Sequence, residues 1–375
     1  MKFPSFDLER IQSIYENSVE INLTESGIEP LSLKELMNPK ELEELLNLPL
    51  GYGYTQGTPL LRQRISNLYE EADENNVLVT SGSSEAIFLS AVLTVSQGDR
   101  VVMMTPNYLS FNGVAEALGA DVDYVPLLKK EKWEWDLDCL DEAVSNKTKV
   151  ISVCNPNNPT GSVLNLEQML KIVEIAGRVG AYLLVDEVYI GAELGSKHTK
   201  SFLGMYEKTI VTSGLSKSYA HPGLRIGWIV SGKRFVEEAW AIKDYTTIAS
   251  SSLSQHIATK VLEPETISKL RSRTKVLLNK NLETLSDWIL PYSNHLSFLK
   301  PDAGGFAFVE YDMDVNSTDL VHDIRKNEGV FIVPGDSFGI DRYFRIGLGH
   351  ESNGFSKGLG LLSKGLTRIF PHIFT

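Results

Sequence analysis

The sequence predicts an α/β protein: a large domain with a mostly parallel seven-stranded sheet covered by helices on both faces, plus a smaller α+β domain. From about residue 75 onward, short runs rich in β-branched residues alternate with helical segments such as 84–96 and 166–179. Several runs are apolar at every position, which is typical of parallel strands buried on both faces. A chain of 375 residues also exceeds the size at which one core stops growing. The predicted strands are 77–80, 100–104, 121–125, 149–154, 182–185, 209–212 and 226–230.

The pattern changes after residue 262. A long helical segment with basic residues, 269–288, is followed by short strand-like pieces at 305–311 and 343–348 with a helix at 319–328 between them. We therefore expect residues 46–262 to form the large domain. We expect residues 1–45 and 263–375 to form the small domain. The N-terminal arm contains an amphipathic helix at 7–18 and is predicted to be mostly structural.

Charge and cysteine content restrict the class of partner. The formal net charge is −12, which disfavours nucleic acid and anionic membranes, so a small-molecule partner is expected. Cys139 and Cys154 have the spacing of neither a zinc site nor a disulfide framework. The N-terminus lacks an apolar signal region and no run reaches the length of a membrane span, so the expected location is cytoplasmic.

The stretch 213–228, S-G-L-S-K-S-Y-A-H-P-G-L-R-I-G-W, places Lys217 directly after a predicted strand. One interpretation is a lysine that forms a Schiff base with a carbonyl cofactor. This requires a lowered amine pKa, through burial or a neighbouring cation such as Arg225. The alternative is an exposed loop lysine, which is the commoner case for a lysine considered alone.

Other post-strand loops carry groups suited to a ligand. Asp186 closes an apolar strand, the serines Ser83 and Ser84 begin a helix, Tyr108 follows another strand, and the rigid loop N-P-N-N-P-T-G spans 155–161. Ligands of open α/β sheets bind beyond the carboxyl ends of the strands, where these loops meet. Each group also has a structural explanation: a helix cap or surface charge for Asp186, N-caps for the serines, a core position for Tyr108 and a simple turn for the loop. Five such groups at one edge favour a ligand site.

Together the motifs N-P-N-N-P-T-G, D-E-V-Y and S-K-S-Y-A-H-P-G-L-R-I-G-W give the chain a family resemblance. In their order and approximate spacing, the chain resembles the class I/II aminotransferases, which depend on pyridoxal 5′-phosphate and have fold type I. The resemblance covers nearly the whole chain. It implies a transfer of an amino group between an amino acid and a 2-oxo acid, with 46–262 as the cofactor-binding domain.

The resemblance also implies roles for individual residues. Lys217 would hold the cofactor as an aldimine and move the proton during catalysis, and Asp186 would pair with the pyridine nitrogen. Tyr189 and Asn158 would hydrogen-bond the phenolic oxygen of the cofactor, and Tyr108 would stack on its ring.

Phosphate and substrate contacts follow from the same resemblance. Arg225 and the Ser83–Ser84 region would hold the phosphate, and Tyr52 would reach the phosphate of a neighbouring subunit, which implies a homodimer. Arg345 would grip the substrate α-carboxylate, with Ser26, Gly27 and Asn158 also near the substrate. Gly214 stands where many members have a serine or threonine ligand, so either Ser213 or Ser216 replaces that contact or the contact is missing.

Several alternatives stay open. The same fold and cofactor serve C–S β-lyases, arginine-modifying cyclases and decarboxylases, which the motifs do not separate from aminotransferases. Glu25 could favour a basic substrate such as arginine, although a solvated glutamate is the commoner explanation. A regulator that only binds the ligand is disfavoured, because the chain is acidic and shows no helix-turn-helix segment. A dinucleotide-dependent dehydrogenase is disfavoured because no G-x-G-x-x-G follows the first strand.

Overall fold

A computed structural model describes residues 2–374 of the chain. The helices are α1 (Asp7–Tyr15), α2 (Leu33–Leu36), α3 (Pro39–Leu46), α4 (Pro59–Ser66), α5 (Ser83–Thr94), α6 (Ser110–Ala117), α7 (Leu137–Ala143), α8 (Leu166–Val179), α9 (Lys233–Lys243), α10 (Ser252–Val261), α11 (Pro264–Ile289), α12 (Ser317–Glu328) and α13 (Ser352–Ile369). The strands are β1 (Ile21–Asn22), β2 (Val77–Thr80), β3 (Arg100–Thr105), β4 (Asp121–Leu128), β5 (Glu134–Trp135), β6 (Thr148–Cys154), β7 (Tyr182–Asp186), β8 (Thr209–Gly214), β9 (Gly227–Val230), β10 (Leu296–Phe298), β11 (Phe306–Tyr311), β12 (Val330–Phe331), β13 (Val333–Pro334) and β14 (Tyr343–Gly347).

The large sheet has the strand order β2-β9-β8-β7-β6-β3-β4-β5. Pairings from β8 through β7, β6 and β3 to β4 are parallel, whereas β9 runs antiparallel to both β2 and β8. All seven predicted strands are present, so the mostly parallel sheet is confirmed. An eighth strand, β5, adds a two-residue antiparallel edge to β4. Its length is too short for an alternating pattern to reveal it.

Helices cover both faces of this sheet. Consecutive strand residues enter different hydrophobic clusters: Val101 and Val150 lie in one, and Val102 and Ile151 lie in the other. Because side chains of a strand alternate between its faces, each face of the sheet has its own core. This explains why several of the strand sequences are apolar at nearly every position.

The helix ends follow local signals. Before α8, Asn165 accepts a hydrogen bond from the Gln168 amide at 3.0 Å, and Gly180 ends the helix with a φ of 69°. The long helix α11 begins at Pro264, five residues before the predicted 269, because proline is well suited to the first helical position. The proposed domain boundary at 262–265 therefore coincides with the junction of α10 and α11.

The C-terminal part of the chain forms a four-stranded antiparallel sheet, β10-β11-β14-β13, and β1 pairs with β12 in a separate two-stranded parallel sheet. Leu23 and Ile28 of the N-terminal arm are buried in the same cluster as Phe344 and Ile346 of β14. The arm therefore packs on the C-terminal sheet. The domain limits 1–45, 46–262 and 263–375 stay a prediction. Within residues 2–374, no helix is both long enough and apolar enough to cross a membrane.

Candidate active site

The loops that follow β2, β3, β6, β7 and β8 lie at one edge of the large sheet. These five strands run in the same direction, so their carboxyl ends meet there. A cavity at this edge is lined by Tyr108, Cys154, Asp186 and Thr212, among others. The structure thus brings together the loops that the sequence identified.

Lys217 forms an ion pair with Glu25 of the N-terminal arm. The Lys217 Nζ lies 2.9 Å from the Glu25 Oε1. Burial lowers the pKa of the Lys217 ammonium, but the Glu25 carboxylate and Tyr189 outweigh it, and the pKa lies above its ordinary value. The same pairing lowers the pKa of Glu25 to about 2. The expectation of a lowered Lys217 pKa is therefore wrong, and the cation that acts on Lys217 is Arg345 rather than Arg225.

Asp186 is a buried carboxylate at the end of β7. Its Oδ1 accepts only a long hydrogen bond of 3.3 Å from the Val188 amide, and no cation contacts it among the described residues. Burial raises its pKa to about 7, while Lys217 acts weakly in the opposite direction. A carboxylate in this state is stabilised by any ligand that brings a positive charge to it.

Tyr189 lies between Lys217 and the N-terminal arm. Its hydroxyl donates a hydrogen bond to the Ser26 Oγ at 2.9 Å, and its ring packs edge-on against Phe306 at 5.1 Å. Burial raises the pKa of Tyr189 to about 12, so the hydroxyl is protonated at neutral pH and available as a donor.

Arg345 is the largest buried charge at the site, with 1% of its surface exposed. Its Nη1 donates to the Asn158 Oδ1 at 2.8 Å and its Nη2 donates to the Thr24 carbonyl at 2.6 Å. Its Nε has no partner among the described residues, and no carboxylate accepts from the guanidinium. A buried guanidinium held by two neutral acceptors is suited to bind a carboxylate.

Arg225 faces the N-terminus of α5. A methyl group on Gly82 would overlap the Arg225 Nη2, so only glycine lets the guanidinium approach the first turn of this helix, where Ser83 is half-buried and Ser84 is exposed. The amides of a first helical turn and a guanidinium together attract phosphate. This supports the predicted use of Arg225, Ser83 and Ser84.

The two candidate serines near Lys217 have different positions. The Ser216 Oγ lies 3.5 Å from the Arg225 Nη1, whereas the Ser213 hydroxyl donates to the Glu187 carbonyl at 3.3 Å, away from Arg225. The structure therefore brings Ser216 to the anion-binding group and does not bring Ser213 there. At Gly214 a Cβ would lie 2.9 Å from a carbonyl of the neighbouring strand, which explains the absence of a larger residue in this chain.

Tyr108 contacts the N-terminal arm. Its hydroxyl donates to the Glu9 Oε1 at 2.7 Å, and its ring packs edge-on against Phe6 at 5.1 Å. Phe6 and Glu9 of the arm therefore contact a residue that lines the cavity, in addition to the structural role that the sequence predicts for the arm. The polar face of a short amphipathic helix carries no local signal that distinguishes a wall of the site from a solvated surface.

Sequence reasoning missed Cys154 and Thr212 as residues that line the cavity, and Phe6 and Glu9 as contacts of Tyr108. Cys154 and Thr212 follow the strand pattern, and only the register of the sheet places Thr212 beside Asp186. Tyr52, another predicted site residue, is almost fully exposed to solvent, with 90% of its surface accessible.

Comparisons with known proteins identify the family of this chain. Residues 40–359 match the family model of aminotransferase class I and II. A capreomycidine synthase of Streptomyces vinaceus is 28% identical over 338 residues, which are 88% of this chain and 84% of that protein. A probable aspartate aminotransferase of Methanocaldococcus jannaschii is 27% identical over 341 residues, which are 87% of this chain and 89% of that protein.

Solved structures show the same fold. A PLP-dependent aminotransferase from Streptococcus suis has a TM-score of 0.92 and 31% identity, covering 98% of this chain and 99% of that one. An aspartate aminotransferase from Thermus thermophilus has a TM-score of 0.87 and 20% identity, covering 98% and 97% of the two chains. The chain therefore belongs to the class I and II aminotransferases, which use pyridoxal 5′-phosphate and act on amino acids and 2-oxo acids.

The residues present fit this cofactor. Asp186 is a buried carboxylate that lacks a cation, as the site of a protonated pyridine nitrogen requires. Arg225 and the α5 N-terminus are suited to a phosphate, and Lys217 carries the amine. Fold, cofactor and class of reaction are thus those predicted from the sequence.

Proposed function

We propose that Lys217, Asp186, Tyr189 and Arg345 are the working residues of an aminotransferase acting between an amino acid and a 2-oxo acid. One observation carries this proposal: a buried guanidinium, a lysine amine and a buried carboxylate without a cation converge at one edge of the sheet. A buried charge without a partner is costly, and it is retained where a ligand supplies the missing charge.

Pyridoxal 5′-phosphate, when bound, supplies a carbonyl for the amine and a ring that accepts electrons from the substrate α-carbon. Asp186 would hold the pyridine nitrogen in its protonated form, since the carboxylate gains a cation there. Tyr189 would donate a hydrogen bond from its hydroxyl to the phenolic oxygen of the cofactor, and Asn158 would form a hydrogen bond to the same oxygen. Lys217 would bind the carbonyl and then carry the proton at its Nζ.

Phosphate binding would use Arg225, Ser83, Ser84 and Ser216, and the cofactor ring would lie against Tyr108. Ser213 would support phosphate binding only as part of strand β8, since its hydroxyl donates a hydrogen bond to the Glu187 carbonyl. At the substrate end, Arg345 would bind the α-carboxylate through paired N–H groups. Ser26, Gly27 and Asn158 would line the same part of the site.

We also propose a homodimer in which Tyr52 reaches the neighbouring active site. Large apolar side chains are exposed around it: 83% of Leu50, 90% of Tyr52, 61% of Tyr54 and 91% of Tyr245 are open to solvent. The segments belong to one surface, because the Gln255 Nε2 donates to the Tyr54 carbonyl at 3.3 Å and the Lys243 Nζ donates to the Thr55 carbonyl at 3.1 Å. An apolar surface of this kind is typical of an interface.

Sedimentation of the holoenzyme tests the dimer. A dimer at micromolar concentration is expected, and Tyr52→Ala should lower cofactor affinity while the dimer persists, because the tyrosine acts on the partner's phosphate. A monomer with full cofactor affinity would contradict the assembly and leave the reaction intact. The cytoplasmic location and the domain limits also remain predictions.

The lysine assignment is tested by chemical trapping. Borohydride reduction of the holoenzyme should attach the cofactor to the peptide that contains Lys217, read by mass spectrometry. The peptide with Lys243 is an internal control: this lysine is also buried, yet its Nζ donates only to the carbonyls of Thr55 and Ile248. Label on Lys243, or amino transfer by Lys217→Ala at the wild-type rate, would contradict the assignment of Lys217 as the lysine that binds the cofactor.

A second reaction on the same site is kept because one relative is a capreomycidine synthase. A β-lyase, cyclase or decarboxylase would use the same residues on a different substrate bond. Single amino acids incubated with the holoenzyme, without any 2-oxo acid, distinguish the two cases. An aminotransferase gives stoichiometric 2-oxo acid and the aminated cofactor, whereas the alternatives turn over and release ammonia, carbon dioxide or a cyclic product.

A further inference from the structure

The loop 25–27 is fixed against Lys217 and the C-terminal sheet. A Cβ on Gly27 would lie 2.9 Å from the Ser216 carbonyl, and one on Gly305 would lie 2.6 Å from the Ser26 carbonyl. A Cβ on Gly347 would overlap the Glu25 carbonyl. Backbone contacts this close leave no room for a side chain at the three glycines, and they hold the Glu25 backbone against the C-terminal sheet and beside Lys217.

Among the described residues, one oxygen of the Glu25 carboxylate accepts hydrogen bonds and the other accepts none. Its Oε1 accepts from the amides of Ser26 and Gly27, at 3.0 and 3.1 Å, and from the Lys217 Nζ. Its Oε2 has no hydrogen-bond partner among the described residues, and half of the side chain is exposed. The amides orient the carboxylate through its first oxygen, which leaves the second oxygen free to accept a hydrogen bond from a ligand.

Two more carboxylates stand nearby on the N-terminal arm. Burial, Glu25 and Glu9 together raise the pKa of Glu16, so Glu16 is close enough to both carboxylates to be repelled by them. Neither Glu9 nor Glu16 forms an ion pair with a described side chain. Once Lys217 is committed to the cofactor, Glu25 loses its ion-pair partner, and Arg345 is the remaining cation among the described residues whose charge acts on Glu25 and Glu9.

Arg345 provides the independent sign that a ligand belongs here. It is buried and aimed at the site, its Nε has no partner, and its Nη2 donates to the carbonyl of Thr24, directly before Glu25. An amino acid held at Arg345 by its α-carboxylate therefore has Glu25 beside it. The arrangement pairs one anion-binding group with one cation-binding group a short distance apart.

Resting on the proposed function, we infer that Glu25 binds a cationic side-chain group of the substrate, with Glu9 and Glu16 adding negative potential at the entrance. The substrate class is then the basic amino acids, whose ammonium or guanidinium group replaces the Lys217 ammonium as the partner of Glu25. The proposal identifies Glu25 as a specificity residue rather than a catalytic residue.

The test compares arginine with citrulline, which have similar shape and differ in the charge of the terminal group. For each enzyme variant, kcat/KM and the affinity from calorimetric titration of the holoenzyme are measured for both compounds. The arginine-to-citrulline ratio of kcat/KM within one variant is independent of any general effect that the Glu25 substitution has on Lys217. Lysine and norleucine form a second pair with the same contrast of charge.

Wild type is expected to prefer arginine over citrulline, and Glu25→Gln is expected to reduce that ratio about 10- to 100-fold, the range for one hydrogen bond to a charged group. Glu16→Gln should reduce it less. Glu20→Gln is the matched control, because Glu20 lies in the same arm but pairs with Lys357, and its ratio should equal that of wild type.

Each outcome decides the inference. A wild type that favours citrulline or norleucine overturns it. A Glu25→Gln variant that slows both compounds equally also overturns it and indicates that Glu25 acts through Lys217. Glu25-dependent binding of arginine without any amino transfer would support the inference while the proposed reaction fails, so the two failures are distinguishable.

Discussion

Asp186→Asn should stabilise the ligand-free protein at alkaline pH and weaken its response to the cofactor. Burial raises the pKa of Asp186 from its ordinary value of 3.8 to about 7. Between these values the folded protein keeps a proton that the unfolded chain has lost, so the contribution of Asp186 to stability falls as pH rises. Below the lower value the contribution is complete, and above pH 7 it has been lost. Asparagine does not titrate and is free of this effect.

The magnitude follows from the difference of about 3 between the two pKa values, which corresponds to about 4 kcal/mol at 1.36 kcal/mol per pKa unit. Part of this loss has already occurred at pH 5. Between about pH 5 and pH 8.5 the stability difference between Asp186→Asn and wild type should therefore grow by about 3 kcal/mol. For a chain of this length that is about 3 to 4 °C in Tm, given about 2.1 cal/mol/K of unfolding entropy per residue.

Scanning calorimetry of the cofactor-stripped proteins at both pH values measures this difference. The cofactor should then raise the Tm of wild type more than that of Asp186→Asn, since the variant lacks the carboxylate that we propose as the partner of the pyridine nitrogen. Glu187→Gln is the control for the cofactor response. Burial raises the pKa of Glu187 to about 8, but its Oε1 accepts a hydrogen bond from the Phe202 amide and Glu187 does not line the cavity. A difference that does not change with pH, or an equal cofactor response in all three proteins, would refute the reasoning.

Three further substitutions have defined outcomes. Arg345→Lys should lower kcat/KM about 10- to 100-fold for amino acid and 2-oxo acid alike with unchanged circular dichroism, because an ammonium cannot replace the paired N–H groups; retained kcat/KM would contradict that role. Ser26→Ala should shift the pH dependence of the cofactor absorbance by up to about one unit, since the Tyr189 hydroxyl loses its 2.9 Å partner, and an unchanged titration would exclude this coupling. Gly82→Ala should raise the cofactor Kd about tenfold or more by displacing Arg225. Gly98→Ala, with the same φ of +84° but nothing within 4 Å, should leave the Kd unchanged; equal effects would mean that backbone strain alone is responsible.

Local patterns in the chain determined the fold class. The apolar-rich runs predicted parallel strands such as β6 and β7 with correct limits to within a residue, because strands buried on both faces carry few polar positions. Likewise, proline, glycine and asparagine at helix ends are local signals, and α8 follows them. The two-residue β5 is too short to carry such a signal.

The motifs identified the site groups that stand within a few residues of a strand end, including Asp186, Lys217 and Arg225. The state of these groups was not predictable, because it depends on segments distant in the chain. Lys217 and Glu25 are 192 positions apart, and their contact reverses the expected direction of the lysine pKa. A pKa is determined by the charges around a group in space, and the sequence alone does not give these.

By itself, the sequence determined the order of strands and helices, the edge of the sheet at which the ligand groups meet, and the family with its cofactor. Only the tertiary structure decided which groups touch. It turned the Ser213 hydroxyl away from Arg225 and placed Ser216 beside it. It also brought Glu9 and Glu25 from the N-terminal arm to the site. The physical reason is the range of the interactions: backbone preference and burial pattern act between neighbours along the chain, whereas hydrogen bonds and ion pairs at a site join segments that folding alone makes adjacent.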